Sequence, residues 1–93
     1  MFQRILKEMR DKIRHRKYVM TLHAEEEMSD DDLSIFDVER SLLTGEIIER
    51  QKDAIAGEWK YLVKGQTVAG NEIIAVVKIS PTGKLVIITV YRL

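Results

Sequence analysis

The sequence predicts a single α+β domain in which two to three N-terminal helices precede an antiparallel sheet of about four strands. The main observation is a change in the spacing of apolar residues at Gly45. Before Gly45 the apolar residues recur at helical intervals, and after it they alternate as they do in strands. The chain has 93 residues and no repeat or low-complexity linker, so we treat residues 1–93 as one domain.

A basic amphipathic helix is predicted over residues 2–14. Its apolar side chains share one helix face and are Phe2, Ile5, Leu6, Met9 and Ile13. The whole N-terminal segment, residues 1–17, carries seven Lys/Arg residues and two acids. Such a helix suits RNA, a membrane surface or an acidic partner, but it equally suits a packed helix with one solvated side.

An acidic helical segment follows over residues 18–45. It begins with a short β-prone run, residues 18–22, which leads into His23 and a series of glutamates. Acids are favourable in the first turn of a helix because the backbone dipole is positive there. Residues 24–39 carry eight acids and no Lys/Arg. With zero net charge overall, this segregation indicates a polyanion-binding surface, pairing of the two segments, or simply solvated helix faces.

A second helix in this segment is predicted over residues 35–44. Ser34 and Asp37 have the spacing of a capping box, in which each residue's side chain bonds the other's backbone N–H. Gly45 follows the last apolar residue of the helix. We expect it to end the helix with a positive φ, which glycine tolerates.

The C-terminal region, residues 46–93, is predicted to form the antiparallel sheet. Glycine-containing turns at Ala56–Gly57 and Ser80–Gly83 separate runs with strand-like alternation. The last two strands are apolar on both faces, which is typical of central strands, whereas the first is polar and suits a sheet edge. The predicted strands cover residues 46–52, 58–65, 72–79 and 84–91.

Several classes of protein are disfavoured by composition and motifs. The chain has no cysteine, so it has neither a disulfide framework nor a cysteine-based zinc site. No apolar stretch approaches the length of a membrane span, and the N-terminus does not resemble a signal peptide. We therefore expect a cytoplasmic protein that does not bind membranes. Nucleotide-binding and nucleophile motifs are absent, and we expect neither a cofactor nor a bound metal.

His23 is the first candidate catalytic residue. It is one of two histidines and lies at a predicted strand-to-helix junction beside acids, where an imidazole can act as a general acid or base. The alternative is a structural histidine that caps the helix. A metal site shared with the neighbouring carboxylates is a weaker alternative, because consecutive helical residues point in different directions.

Candidate substrate-binding residues lie on the predicted strands. Lys60 and Lys78 could stabilise charge that develops on a phosphate, although lysines more often keep a sheet face solvated. The C-terminal strand carries Thr89, Tyr91 and Arg92. We interpret Thr89 and Tyr91 as sharing a strand face with Leu85 and Ile87, where the tyrosine hydroxyl could donate to phosphate or the ring could stack on a base.

The order of these features resembles a family of small bacterial domains grouped with the RelE and MqsR toxins. The resemblance covers residues 18–93. It rests on Thr21-x-His23-Ala24, Met28, the helix that ends at Gly45-Glu46-Ile47-Ile48-Glu49, Lys60-Tyr61, Gly65, Val76-Val77 and the closing Ile87-Ile88-Thr89-Val90-Tyr91. It implies a barnase/EndoU/colicin/RelE-like fold with a curved sheet, metal-independent RNA cleavage, and a zinc-finger-type antitoxin as partner.

The sequence departs from that pattern next to His23. Many relatives resemble H-A-x-x-R-M with a further basic residue, whereas this chain has Glu27 and Asp31 there. Acids at these positions repel RNA. Two functions therefore remain open. One is an endoribonuclease toxin with His23, Glu27 and Tyr91 as catalytic residues and Lys60, Lys78, Thr89 and Arg92 at the substrate. The other is a non-catalytic protein-interaction domain of the same fold.

Overall fold

The computed structural model describes residues 2–55 and 57–93, which form three helices and five strands. The predicted helix over residues 35–44 is confirmed, and each predicted strand lies within one residue of its expected position. Ala56, in a predicted turn, lies outside the described residues. The elements are α1 (Gln3–Arg14), β1 (Tyr18–Met20), α2 (Leu22–Asp30), α3 (Ile35–Thr44), β2 (Glu46–Lys52), β3 (Trp59–Gln66), β4 (Glu72–Ile79) and β5 (Leu85–Arg92).

The strands of the described chain form one sheet in the order β1-β5-β4-β3-β2. Strands β2 to β5 are consecutive antiparallel neighbours, and β2 is an edge strand as predicted. The prediction of about four antiparallel strands is wrong, because β1 adds a fifth and runs parallel to β5. A three-residue strand has too little local pattern to reveal a partner more than 60 residues away in the chain.

The three helices pack on one face of this sheet. Alternate strand residues meet them there, as expected for a sheet with one covered face. The fully buried apolar side chains come from every helix and from β3, β4 and β5, and include Met9, Ala24, Val38, Leu42, Val63, Ile73, Ala75, Val77, Leu85, Ile87 and Val90. No helix in the described residues is both long enough and apolar enough to cross a bilayer.

The basic and acidic segments do not pair with each other. No ion pair joins residues 2–17 to residues 24–39 in the part of the chain that the structure describes. Instead, Arg10 of α1 reaches the end of α3, where its guanidinium donates to the carbonyl oxygen of Gly45 at 2.7 Å. A cation is favourable there because the carbonyls at a helix C-terminus lack helical partners.

The capping box at the start of α3 is confirmed. The Ser34 side chain accepts from the Asp37 backbone N–H, and the Asp37 carboxylate accepts from the Ser34 backbone N–H. Its other oxygen accepts from the Val68 N–H at 2.9 Å, which ties the β3–β4 turn to the helix. These backbone donors, first Ser34 and then Val68, lower the pKa of Asp37 below 3.8.

Gly45 ends α3 for a reason other than the one predicted. Its φ is −88°, so it does not need a left-handed conformation. Instead, a Cβ at Gly45 would overlap the backbone of β3, and a Cβ at Gly65 would overlap the carbonyl of Ser41. Two glycines thus allow the last turn of α3 to contact β3 backbone to backbone.

We expect Gly65→Ala to destabilise the protein by about 2 kcal/mol or more, because the new methyl group has only rigid backbone to displace. Urea unfolding at constant m-value measures this. Gly57→Ala is the control, since it has φ +70° but no atom within 4 Å of its Cβ, and it should cost about 1 kcal/mol. Equal unfolding midpoints for the two variants would contradict the close contact.

The Asp37 network predicts a pH dependence of stability. Because the folded pKa is lowered from 3.8, its contribution is complete above that value and is lost as the pH falls through the lower folded pKa. Asp37→Asn should cost about 1 kcal/mol at pH 7, because it removes a charge from the helix N-terminus and weakens two backbone hydrogen bonds, and the difference from wild type should shrink as the pH falls below 3.8. Urea unfolding at several pH values tests this, with exposed Asp30→Asn as control. A difference independent of pH would argue against the carboxylate network.

Candidate functional site

Strand β5 pairs with β1 only over its first half, and on that side its second half has other hydrogen-bond partners. The Thr21 N–H still donates to the Ile87 carbonyl at 3.0 Å, but the chain then turns into α2. Beyond this point, side chains take the place of β1 as the hydrogen-bond partners of β5. Thr21 Oγ1 donates to the Ile88 carbonyl at 2.8 Å, and Glu27 Oε1 accepts from the Val90 N–H at 3.1 Å. Glu27 also accepts from the Thr89 hydroxyl.

His23 lies one helical turn before Glu27 on α2. Its Nε2 is 3.3 Å from Glu27 Oε1, and the side chains of His23 and Glu27 are 67% and 26% exposed. The half-buried carboxylate is held by Thr89 and Val90, so it can in turn hold the imidazole by one ring nitrogen. The other ring nitrogen, Nδ1, bonds no described residue and remains available to a ligand. This arrangement suits proton transfer by the histidine.

A bulge in β5 decides which face its last residues occupy. Val76 pairs with Thr89 but the next β4 residue, Val77, pairs with Ile87, so Ile88 is an extra residue. The interpretation that Thr89 and Tyr91 share a face with Leu85 and Ile87 is therefore wrong. Thr89 and Tyr91 lie on the face without helices, because the inserted residue reverses the alternation. Tyr91 is 36% exposed there.

Lys60 and Lys78 lie on the same uncovered face, in a cavity of about 260 Å³ that also reaches Thr21. Lys78 Nζ is 2.9 Å from Glu58 Oε2, so its charge is neutralised within the protein. Lys60 has no ion pair among the described residues and is the more available cation. The cavity is lined by Thr21, Asp53, Glu58, Lys60, Lys78, Val86 and Ile88.

Arg92 is on the other side of the sheet. It pairs with Ile73 on the helix-covered face, and its Nε donates to the Asp31 carbonyl at 2.9 Å. The structure thus brings together His23, Glu27 and Thr89. Of the other predicted residues, Lys60, Lys78 and Tyr91 lie on the adjoining sheet face, whereas Arg92 does not.

Sequence reasoning missed Thr21 and Glu58 as components of this region. Thr21 had a usable signal, because it precedes α2 as an N-cap and accepts from the Ala24 N–H. Glu58 had none, since its pairing with Lys78 depends on the sheet. No group of three or more potential metal ligands converges among residues 2–55 and 57–93.

Comparison with known proteins places this site within a family. The family described as "Domain of unknown function (DUF4258)" matches residues 20–92. The chain belongs to the DUF4258 family. The DUF4258 region contains α2, the sheet from β2 to β5 and every residue of the candidate site, whereas α1 precedes it. No curated protein and no solved structure matches the chain.

The contact between His23 and Glu27 predicts the tautomer of His23. At alkaline pH its proton should be on Nε2, facing the carboxylate 3.3 Å away. His15 should have the opposite tautomer, because its Nδ1 must donate to the Asp11 carbonyl at 2.8 Å. The ¹⁵N chemical shifts of the two rings distinguish these forms. Glu27→Ala should change the His23 spectrum and leave His15 as the internal control; an unchanged His23 tautomer would show that Glu27 does not orient the ring.

Proposed function

We propose that this DUF4258 domain is a metal-independent endoribonuclease in which His23 transfers protons and Glu27 orients it. The observation that carries the proposal is the pairing of an exposed imidazole with a carboxylate fixed by Thr89 and Val90. A carboxylate held by donors from a strand provides a rigid support for a general base. Tyr91 and the Lys60 cavity lie on the adjoining sheet face, where a substrate would meet them.

The reaction is transesterification within RNA. His23 Nδ1 accepts the proton of a ribose 2′-hydroxyl, and the 2′-oxygen then attacks the adjacent phosphorus. The bond from phosphorus to the 5′-oxygen breaks, and the Tyr91 hydroxyl gives that oxygen its proton. The products are a 2′,3′-cyclic phosphate and a 5′-hydroxyl, after which water carries the proton from His23 back to Tyr91.

Electrostatics determine how RNA would approach. Glu25 and Glu26 on α2 are exposed and repel phosphate, so the helix side of His23 is unfavourable. The sheet side offers Lys60, whose charge is free to stabilise the phosphorane, as well as the Tyr91 hydroxyl. Lys78 contributes less while Glu58 neutralises it.

The resemblance to RelE and MqsR toxins supplies the biological part of the proposal. In this proposal, the domain is the toxin of a type II toxin–antitoxin system, and a zinc-finger-type antitoxin suppresses its activity. The alternative, a non-catalytic interaction domain, is favoured by one observation. Strand β2 forms a sheet edge in the described chain, with Ile48 half-exposed, and such an edge can accept a strand from a partner.

The test is cleavage of a single-stranded RNA by purified wild-type protein in the presence of a chelator. We expect cleavage with a 2′,3′-cyclic phosphate product, and none with the 2′-deoxy oligonucleotide. His23→Ala should lower the rate at least about 100-fold, and Tyr91→Phe should lower it by a smaller factor. His15→Ala is the matched control and should retain full activity.

Intact RNA with folded wild-type protein, or equal rates for His23→Ala and His15→Ala, would contradict the nuclease. A stable complex with the product of a neighbouring gene, in the absence of any cleavage, would establish the interaction domain instead. Charged substitutions at Ile48 that abolish such a complex would assign it to β2.

A further inference from the structure

A cation held between aromatic rings lies at the opposite edge of the sheet from His23. The guanidinium carbon of Arg50 is 4.0 Å from the centroid of the Trp59 ring and 5.8 Å from that of Phe2. Lys52 Nζ is 5.7 Å from the same Trp59 ring. We call Arg50, Lys52 and Trp59 the Arg50 platform.

The strand register explains why these side chains meet. Arg50 pairs with Tyr61, and Lys52 pairs with Trp59, across β2 and β3. Their side chains therefore lie on the helix-bearing side of the sheet, but at its edge, beyond the buried core. Trp59 is 40% exposed, and both cations are exposed. Phe2 packs edge-to-face against Tyr61, which anchors the start of α1 beside the platform.

The two cations are not neutralised by the protein. In residues 2–55 and 57–93 no carboxylate lies within ion-pair distance of Arg50 or Lys52. A contact between one cation and one ring at an exposed site contributes little to stability. It does, however, hold the guanidinium in one orientation while its N–H groups stay accessible. A fixed arginine beside a free lysine is a favourable site for phosphate.

We propose that the Arg50 platform binds single-stranded nucleic acid, with Arg50 and Lys52 on the phosphates and an unpaired base on the side of the Trp59 ring that Arg50 does not cover. An exposed aromatic ring beside unpaired cations is the combination that single-strand binding requires. An acidic protein would use the cations but not the ring. A duplex would offer phosphates, but its bases are already stacked.

The position of the platform extends the proposed nuclease. Thr89, Val76, Leu62 and Glu49 form one cross-strand row, so three strand spacings, about 14 Å, separate the β5 site from β2 beside Arg50. Because the platform lies on the helix-bearing side of the sheet and Tyr91 and Lys60 lie on the other side, one flexible strand of several nucleotides would have to cross this distance and pass around the edge at β2. The choice of RNA as ligand rests on the proposed function, but binding is measured separately from cleavage.

Trp59 is the sole tryptophan, so its fluorescence reports directly on the platform. We expect a 2′-O-methyl RNA 12-mer, which cannot be cleaved by the proposed reaction, to quench it saturably. The same sequence as a duplex should quench weakly. In fluorescence anisotropy with a labelled 12-mer, Trp59→Leu should weaken binding about fivefold or more. Arg50→Gln should also weaken it and make the log–log salt slope shallower by about 1.

Three controls make the result decisive. Arg40→Gln removes an exposed arginine elsewhere and should bind as wild type, and urea unfolding verifies that each variant is folded. His23→Ala should keep binding while losing cleavage, which separates failure of the nuclease from failure of the platform. Wild-type protein that does not bind the 12-mer at low salt overturns the proposal. Binding of the 12-mer that Trp59→Leu and Arg50→Gln leave unchanged also overturns it. So does binding of heparin to the platform with the same affinity as the 12-mer, because that would indicate an anion site without base recognition.

Discussion

Strand β5 needs hydrogen-bond partners along its whole length, and β1 supplies them for only part of it. A buried backbone N–H or C=O without a partner is costly, so the chain must provide a donor for the Ile88 carbonyl and an acceptor for the Val90 N–H where β1 ends. Thr21 and Glu27 do so from the start and the middle of α2. The position of the carboxylate is thus fixed by the fold. Helix geometry then places His23 beside this carboxylate, because residues four apart lie on the same face of a helix.

Glu27 therefore has two roles that a single substitution cannot separate. Removing its side chain leaves the Val90 N–H unpaired and at the same time frees the imidazole of His23. Glu27 Oε1 accepts from the Thr89 hydroxyl and the Val90 N–H and also faces Nε2 of His23. In the proposed nuclease, Glu27 is therefore assigned the positioning of the imidazole, and His23 the transfer of protons.

Much of the fold could be predicted because its signals are local. Apolar periodicity predicted α1, α3 and the four long strands, the acidic residues after His23 indicated α2, and the capping box predicted the start of α3. Features that depend on contacts between distant parts of the chain could not be predicted. The parallel pairing of β1, the Ile88 bulge and the contact of Gly65 with Ser41 all depend on residues distant in sequence. The same limit applies to the site, since the spacing of His23 and Glu27 is readable from sequence but the support from Thr89 is not.

The distribution of charge bears on what this domain can bind. The Arg10 guanidinium is bound to the Gly45 carbonyl at the end of α3, and Lys78 forms an ion pair with Glu58. Neither cation is therefore fully available to attract a polyanion. With zero net charge, long-range steering of RNA in the proposed complex would be weak, and recognition would depend on a few local contacts. The salt dependence of binding should then be shallow, since its slope follows the number of phosphates neutralised. Stacking, which salt affects little, would have to supply the remaining affinity. Trp59 is exposed for this purpose, beside Arg50, which has no ion pair among the described residues.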